Sequence, residues 1–144
     1  MGVKRDNPYL NFNFIVDIGA GDELGFSEAE VPSGEIEVIE YREGADRVNT
    51  ARKLPGLAKY PNVTLKRGIT GSTDLFEWWK SVRDGQVVRR NVTITLLDEQ
   101  RQAVYRWLLR SAWPVKIEGP TLNAGGNEVA IETLELAHEG LEIE

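Results

Sequence analysis

The chain contains no cysteine among its 144 residues. Disulfide bonds, thiolate nucleophiles and cysteine-based zinc sites are therefore excluded. It has a single histidine, His138, so a metal site with several histidines and a paired-histidine mechanism are excluded too. His138 stands beside Glu139 and could form half of a catalytic dyad. No serine lies in a strained G-x-S-x-G turn, however, and a surface or interface histidine is the favoured interpretation.

Long apolar runs are also lacking. No stretch approaches the roughly 18 apolar residues of a membrane span, and the first residues, MGVKRDNPYLNF, have no apolar signal-peptide core. We therefore expect a protein that is made in a cytoplasm and has no membrane anchor. The formal net charge of −6 argues against a dedicated nucleic-acid site, which usually needs a basic face.

A glycine-rich segment follows the first apolar stretch and invites a dinucleotide-binding interpretation. Residues 19–25 read GAGDELG, one residue longer than the Gly-x-Gly-x-x-Gly fingerprint, and no helical pattern follows them. The fingerprint holds pyrophosphate only when a helix N-terminus follows the glycine turn. We interpret the segment as a hairpin turn, and we expect no cofactor.

Charge is distributed unevenly along the chain. Residues 22–46 hold nine acids against the single Arg42, whereas no acid lies between Asp46 and Asp74. This middle part includes a long, poorly periodic insertion at about Tyr41–Asn62. Because compact domains seldom keep a loop of more than about 12–15 residues without a use for it, we expect a loop at about 42–61 that reaches toward another protein.

Alternating apolar and polar residues predict short strands along most of the chain. A parity change near Val38 predicts a β-bulge in one of them. The predicted strands lie at about 12–18, 35–41, 63–66, 92–96, 103–107, 113–118 and 129–136.

A single segment has helical periodicity. Leu75, Trp78, Trp79 and Val82 form one apolar stripe. Asp74 is the predicted N-cap, Glu77 would complete a capping box, and Gly85 stands where a helix ends.

These elements predict one mainly β domain over residues 1–144: a small antiparallel β-barrel or sandwich with one α-helix at about residues 74–84. Residues 1–6 are expected to be a flexible N-terminal segment. The tryptophans could line a ligand pocket inside a barrel, but packing in the core or between subunits explains them better.

Several stretches, taken in order, resemble the tail-tube proteins of contractile phage tails and contractile injection systems. The most characteristic are the sequences EYREG, KLPG, LKRG, AWP and AHEGL, which begin at Glu40, Lys53, Leu65, Ala112 and Ala137. The resemblance spans nearly the whole chain and leaves only residues 1–6 without a family signal. It implies a non-enzymatic, structural virion or particle component, similar in fold to the ring protein of type VI secretion.

The resemblance also implies the partners. Copies of the chain would self-assemble into homohexameric rings that stack into a hollow inner tube, which contraction of a surrounding sheath drives through a target envelope. Further partners would be the contractile sheath, the baseplate and spike, tube-terminating proteins, and a lumen cargo or tape measure. Assembly is expected in a bacterial or archaeal cytoplasm.

We expect the insertion to act as the stacking arm, its bases facing acids of the next ring. The candidates for contacts between rings or subunits are Arg42, Glu43, Arg47, Arg52, Lys53, Leu54, Pro55, Lys59, Lys66, Arg67, Glu28, Glu30, His138 and Glu139. The nearest rival is a tube initiator or terminator of the same machine. A monomeric barrel that binds a small apolar ligand, and a hydrolase built around His138, are more distant rivals.

Overall fold

The computed structural model describes residues 4–19 and 23–144, and there the chain forms ten strands and one helix. The strands are β1 (Phe14–Asp17), β2 (Glu23–Leu24), β3 (Glu28–Ala29), β4 (Glu35–Tyr41), β5 (Arg52–Lys59), β6 (Val63–Gly68), β7 (Arg90–Leu97), β8 (Ala103–Glu118), β9 (Ile131–Ala137) and β10 (Gly140–Ile143), and the helix is α1 (Asp74–Arg83). The predicted mainly β fold with one helix is confirmed.

Eight of the strands form one antiparallel sheet in the order β2-β1-β7-β8-β9-β6-β3, in which β10 also pairs with β8. Among the described residues this sheet does not close into a barrel, so the sandwich-like alternative is the one that holds. The turn predicted at residues 19–25 joins β1 to β2, which pair antiparallel; its residues 20–22 lie outside the described part of the chain.

Strand β8 is one strand of 16 residues that pairs with β7 and β10 in its first part and with β9 in its second, so the prediction of two separate strands at 103–107 and 113–118 was wrong. A β-bulge lies between the two halves of β8. Arg90 of β7 pairs with Ala112 and Val92 pairs with Leu109, so two residues of β8, Arg110 and Ser111, lie opposite the single residue Asn91. Ser111 has a φ of 51° there, and its N–H donates to Asn91 Oδ1 at 3.1 Å. The bulge changes which residues of β8 lie opposite β7, and it allows β8 to continue as one strand.

Helix α1 packs its apolar side on β8 and buries Leu75 and Trp78. The predicted N-cap was wrong, because Thr73 occupies that position and makes no side-chain capping bond. Gly85, with a φ of 92°, ends the helix as predicted. The indole N–H of Trp78 donates to Val88 O at 2.8 Å, so this tryptophan belongs to the core.

The core lies between the sheet and the helix. It consists of side chains that are nearly inaccessible to water, and each of its valines, leucines and isoleucines contributes roughly 1.5–3 kcal/mol by its burial. Its members are Val16, Ile18, Val63, Leu65, Leu75, Trp78, Val92, Ile94, Leu109, Ala112, Leu134 and Leu136.

The predicted long loop at 42–61 is wrong in its second half, because residues 52–59 form β5. Strand β5 pairs with β4 in a separate two-stranded sheet, and only residues 42–51 connect the two strands. Pro55 and Gly56 break the expected alternation, and a two-stranded ribbon tolerates both because its strands have an unpaired side.

The buried side chain of Arg67 links the helix to the sheet. Its guanidinium donates to Asp74 at the start of α1, at 2.7 and 3.2 Å, and to Glu132 on β9, at 2.6 and 2.8 Å. The side chain of Arg67 is 8% exposed, that of Glu132 15%, and that of Asp74 38%. Asp74 therefore accepts from Arg67 instead of capping the helix.

Removing either carboxylate should lower stability, but by different amounts. Glu132→Gln should cost about 3 kcal/mol, because it leaves a buried guanidinium with a single ionic partner. Asp74→Asn should cost only about 1 kcal/mol, since water screens its more exposed side chain. Urea unfolding at pH 7 measures both. Equal costs would contradict the view that burial sets the strength of this cluster.

The pH dependence should identify the role of Asp74. The hydrogen bonds from Arg67 hold the pKa of Asp74 below its ordinary value, against the opposing effect of burial. A carboxyl group with a lowered pKa stabilises the fold above its unfolded pKa of about 4, and this contribution is lost as the pH falls through its folded pKa. The difference in unfolding free energy between the wild type and Asp74→Asn should therefore shrink below about pH 4. A difference that persists in acid would contradict this role.

Candidate assembly interface

The β4–β5 hairpin stands apart from the sheet. Its register runs from the Glu35–Lys59 pair to the Tyr41–Arg52 pair, and its strands pack mainly on each other. Almost every residue of both strands is exposed. Because an isolated two-stranded hairpin is marginally stable in water, this element needs a further contact to be held.

Apolar side chains occupy both faces of this hairpin. Residues directly opposite in an antiparallel pair share a face. One face therefore carries Ile36, Val38, Pro55 and Ala58, and the other carries Ile39, Tyr41 and Leu54. Leu57, in the bulge, is 76% exposed, and Ile36 is 64% exposed. Concentrated apolar exposure of this kind is typical of a surface that another protein covers.

The bulge in the hairpin depends on a glycine. Ile36 pairs with Ala58 and Val38 with Pro55, so Gly56 and Leu57 together face Glu37. A Cβ on Gly56 would lie 3.0 Å from Ile39 Cδ1 and 3.1 Å from Glu37 O. A larger residue at position 56 would therefore require the Ile39 side chain or the Glu37 carbonyl to shift. The bulge predicted in the strand at 35–41 was wrong in its strand: the extra residue lies in β5, and β4 places Ile36 and Ile39 on opposite faces without a bulge of its own.

Three basic residues of the insertion lie close to or opposite acidic residues of the same hairpin. Lys59 Nζ lies 3.7 Å from Glu37 Oε2, and Arg52 Nη2 lies 3.2 Å from Asp46 Oδ1. Lys53 stands opposite Glu40 in the strand register. The sequence separates acids from bases because the acids lie largely on β4 and the bases on β5, and the antiparallel pairing then brings them together. Each such exposed pair contributes about 0–1 kcal/mol.

The hairpin loop is organised by its own polar groups. The Arg42 guanidinium donates to Val48 O at 3.1 Å, and to Asp46 O and Asn49 Oδ1 at 3.2 Å. The N–H of Glu43 donates to Asp46 Oδ2 at 3.0 Å. Arg42 and Glu43 therefore shape the loop, whereas Arg47 is an exposed residue in it.

The subunit also has an apolar groove of about 600 Å³, and one of its lining residues, Val31, shortly precedes the hairpin in sequence. Its walls come from the N-terminal segment, β1, β3, β7 and β8, and they include Leu10, Phe12, Phe14, Val31, Leu96 and Trp107. Phe12 is 65% exposed. Glu28 lines the same groove, and Glu30 follows in the chain; both are exposed. Lys66 Nζ lies 3.7 Å from Glu28 Oε2.

The N-terminal wall of the groove is anchored. Arg5 donates to both carboxylate oxygens of Glu99, at 2.9 and 3.0 Å, and to the carbonyl oxygens of Asn7 and Pro8. Its guanidinium also lies 3.8 Å from the centre of the Tyr9 ring. Residues 1–3 of the predicted flexible segment lie outside the described part of the chain.

His138 is buried rather than exposed. Its ring nitrogens lie 3.0 Å from Gly140 O and 3.1 Å from Pro61 O, so the ring joins the β9–β10 junction to the base of the hairpin. Its neighbour Glu139 accepts from Arg89 Nη1 at 2.8 Å on the surface. His138 contacts two backbone carbonyls here and is part of the packing around the hairpin base.

The predicted contact residues thus fall into four places. The hairpin carries Arg42, Glu43, Arg47, Arg52, Lys53, Leu54, Pro55 and Lys59. Glu28, Glu30 and Lys66 lie by the groove, and His138 and Glu139 at the β9–β10 junction, while Arg67 is inside the subunit. Sequence reasoning selected Leu54 and Pro55 but missed the other apolar residues of the hairpin and those of the groove. The alternation around Ile36 gave a signal, but it was interpreted as a half-buried strand.

Residues 4–19 and 23–144 contain neither a membrane-spanning helix nor a cluster of metal ligands. No helix there is long and apolar enough to cross a membrane. No three His, Asp or Glu side chains there are grouped as metal ligands.

Comparison with known proteins places the chain in a family. The profile of the T4-like virus tail tube protein gp19 family matches residues 10–142. The chain belongs to this family. It is therefore a tube protein, as the resemblance in the sequence predicted. No curated protein matches it in sequence.

Solved structures agree with this assignment. A chain from the tube-terminating cap of the anti-feeding prophage is 26% identical with a TM-score of 0.88, and the match covers 100% of this chain and 95% of that one. A chain from the extended sheath–tube complex of the extracellular contractile injection system PVC is 27% identical with a TM-score of 0.86, over 95% and 91% of the two chains. Hcp1 from Flavobacterium johnsoniae, 14% identical with a TM-score of 0.57 over 90% and 93%, shares the fold.

The tube protein should need its hairpin for assembly and not for folding. Leu57→Ser should leave the unfolding free energy within about 0.5 kcal/mol of the wild type, since the side chain is exposed. The same change should weaken association at least about tenfold, because a buried leucine contributes roughly 1.5–3 kcal/mol. Urea unfolding and mass photometry measure the two effects.

Leu122→Ser is the matched control, because Leu122 is 86% exposed in a loop outside the hairpin. It should change neither quantity. If Leu57→Ser assembles like the wild type, the hairpin is not a contact surface.

Proposed function

We propose that this chain is the repeating inner-tube subunit of a contractile phage tail or contractile injection system. Copies form homohexameric rings, and the rings stack into a hollow tube. The observation that carries the proposal is the β4–β5 hairpin, whose apolar residues are exposed on both faces of a subunit that belongs to a tail-tube family. The role is mechanical, and the protein is not an enzyme.

The physical argument starts from the hairpin's two apolar faces. A single chain leaves both in water, which is unfavourable. Contact between identical copies can cover them repeatedly, because the hairpin of each copy meets a different surface of the next. Such a head-to-tail contact is heterologous and generates rings or open filaments. Both kinds of assembly are needed in a tube built from stacked rings.

The proposed partners follow from the similar structures. One comes from a complex of sheath and tube in PVC, one from the baseplate of the anti-feeding prophage, and others from a cap and a terminator. We propose a contractile sheath outside the tube, a baseplate and spike at one end, a terminator at the other, and a cargo or tape measure in the lumen. Assembly takes place in a bacterial or archaeal cytoplasm.

A terminator or initiator of the same machine is the second candidate. The chain resembles a PVC sheath/tube terminator structure, with a TM-score of 0.87, as closely as it resembles the sheath–tube structure. The two roles differ in assembly, because a repeating subunit adds ring upon ring whereas a terminator stops after one ring. The distribution of assembly lengths distinguishes them.

Purified protein should form rings of about six monomer masses and, as the concentration rises, stacked hollow tubes. Mass photometry measures the ring, and negative-stain microscopy shows the tubes. Single rings that never stack would support the terminator role. A monomer at every concentration, also in the presence of preformed baseplates, would contradict both roles.

Reversing charge on the hairpin should prevent stacking and spare the fold. In Arg52→Glu/Lys53→Glu the new carboxylates face Asp46 and Glu40 in the same hairpin and repel acids across the contact. We expect tubes to be lost while the unfolding free energy, measured with urea, stays within about 0.5 kcal/mol of the wild type.

The control is Arg83→Glu/Lys116→Glu, which changes net charge equally at exposed positions outside the hairpin. It should still give tubes. If both double variants lose tubes, net charge and not the hairpin is responsible. Normal tube lengths in the hairpin variant would contradict its role in stacking.

A further inference from the structure

We infer that the apolar groove beside the N-terminal segment is the acceptor for the hairpin of a second copy of this chain. This inference rests on the proposed tube function and names the surface on which the hairpin docks. It assigns contact roles to Leu10, Phe12 and Val31, residues outside the hairpin that the sequence patterns did not select.

The first step is that both surfaces are apolar and uncovered. Leu10 and Val31 are 49% and 41% exposed at the groove, and Phe12 is more exposed still. The hairpin face that carries Ile36 and Val38 is equally open to water. Joining the two surfaces removes both from water, at roughly 25 cal/mol per Å² of apolar area.

The second step is that the charges around these surfaces are complementary. Lys53 lies on the same hairpin face as Val38 and Pro55, two residues before Pro55 in the strand. The exposed carboxylates of Glu28 and Glu30 lie at and beside the groove. Apolar contact with a rim of opposite charges is the usual composition of a specific interface, in which the charges set orientation more than affinity.

The third step is that the occupant is a second copy. Only residues 32–34 separate Val31 of the groove from the first residue of β4. The hairpin of the same chain starts beside the groove, but its strands pack mainly on each other. A donor hairpin and an acceptor groove on every copy make a heterologous contact, which always leaves one of each free for the next copy.

The experiment uses the absence of cysteine from the chain. Val38→Cys places one thiol on the hairpin, and Val31→Cys, in a copy with an affinity tag, places one in the groove. The two variants are mixed under assembly conditions and treated with a short bismaleimide. Because each chain has a single thiol, a covalent pair of one tagged and one untagged chain joins two copies. We expect at least tenfold more of this pair than from Val38→Cys mixed with Leu122→Cys, the exposed control.

Charge reversal gives a second, independent readout. Lys53→Glu alone should weaken association, and adding Glu28→Lys to the same chain should restore it, because the charges across the contact are exchanged. Association is measured by mass photometry, and the monomer fold by urea unfolding.

The outcomes separate the inference from the proposed function. Cross-linking above the control, with charge rescue, supports the groove as acceptor. Rings or tubes that give only control-level cross-linking overturn the inference and leave the tube function standing. Protein that neither assembles nor cross-links overturns both. A groove that binds a small apolar fluorophore equally in monomers and in tubes is not covered by a second copy, and this also overturns the inference.

Discussion

A two-stranded hairpin cannot bury its own apolar side chains, and this constraint governs the molecule. The main sheet and helix α1 enclose a core with nearly inaccessible side chains such as Leu65 and Leu109. The hairpin has one layer and two faces, so Ile36 and Leu54 on opposite faces stay in water until something else packs on them. The folded body is complete in one chain, and the proposed association of copies would cover the hairpin.

Charges that the sequence separates into acidic and basic stretches are paired within the hairpin. No acidic residue lies between Asp46 and Asp74 in the sequence. The carboxylates of β4 nevertheless lie opposite the basic residues of β5, because the two strands pair in the hairpin. Pairs that are satisfied at the surface, such as Lys59 with Glu37, add little to stability. In the proposed assembly, apolar area would therefore supply most of the association energy, and the charges would select the orientation in which copies meet.

The sequence patterns predicted the elements in which apolar residues recur at a regular spacing. They failed where a bulge or an unusual backbone conformation interrupts that spacing. The stripe from Leu75 to Val82 located α1, because helical spacing is set by local backbone geometry. Strand β5 was missed because Pro55 and Gly56 are poor strand formers and only the pairing with β4 explains them. The continuity of β8 depends on Ser111 in a left-handed conformation, which no apolar pattern records.

The same limit applies to single side chains. Asp74 has the sequence signature of an N-cap, but Arg67 competes for its carboxylate and holds it against the sheet. Arg67 was predicted as a candidate for contacts between rings or subunits, whereas its partner Glu132 is in the same chain, 65 positions away. Only the tertiary fold brings such a partner close. A charged residue in a strand is therefore weak evidence for an interface until its partners across the sheet are known. Exposed apolar residues such as Leu57 are stronger evidence, because no group within the same chain compensates for their contact with water.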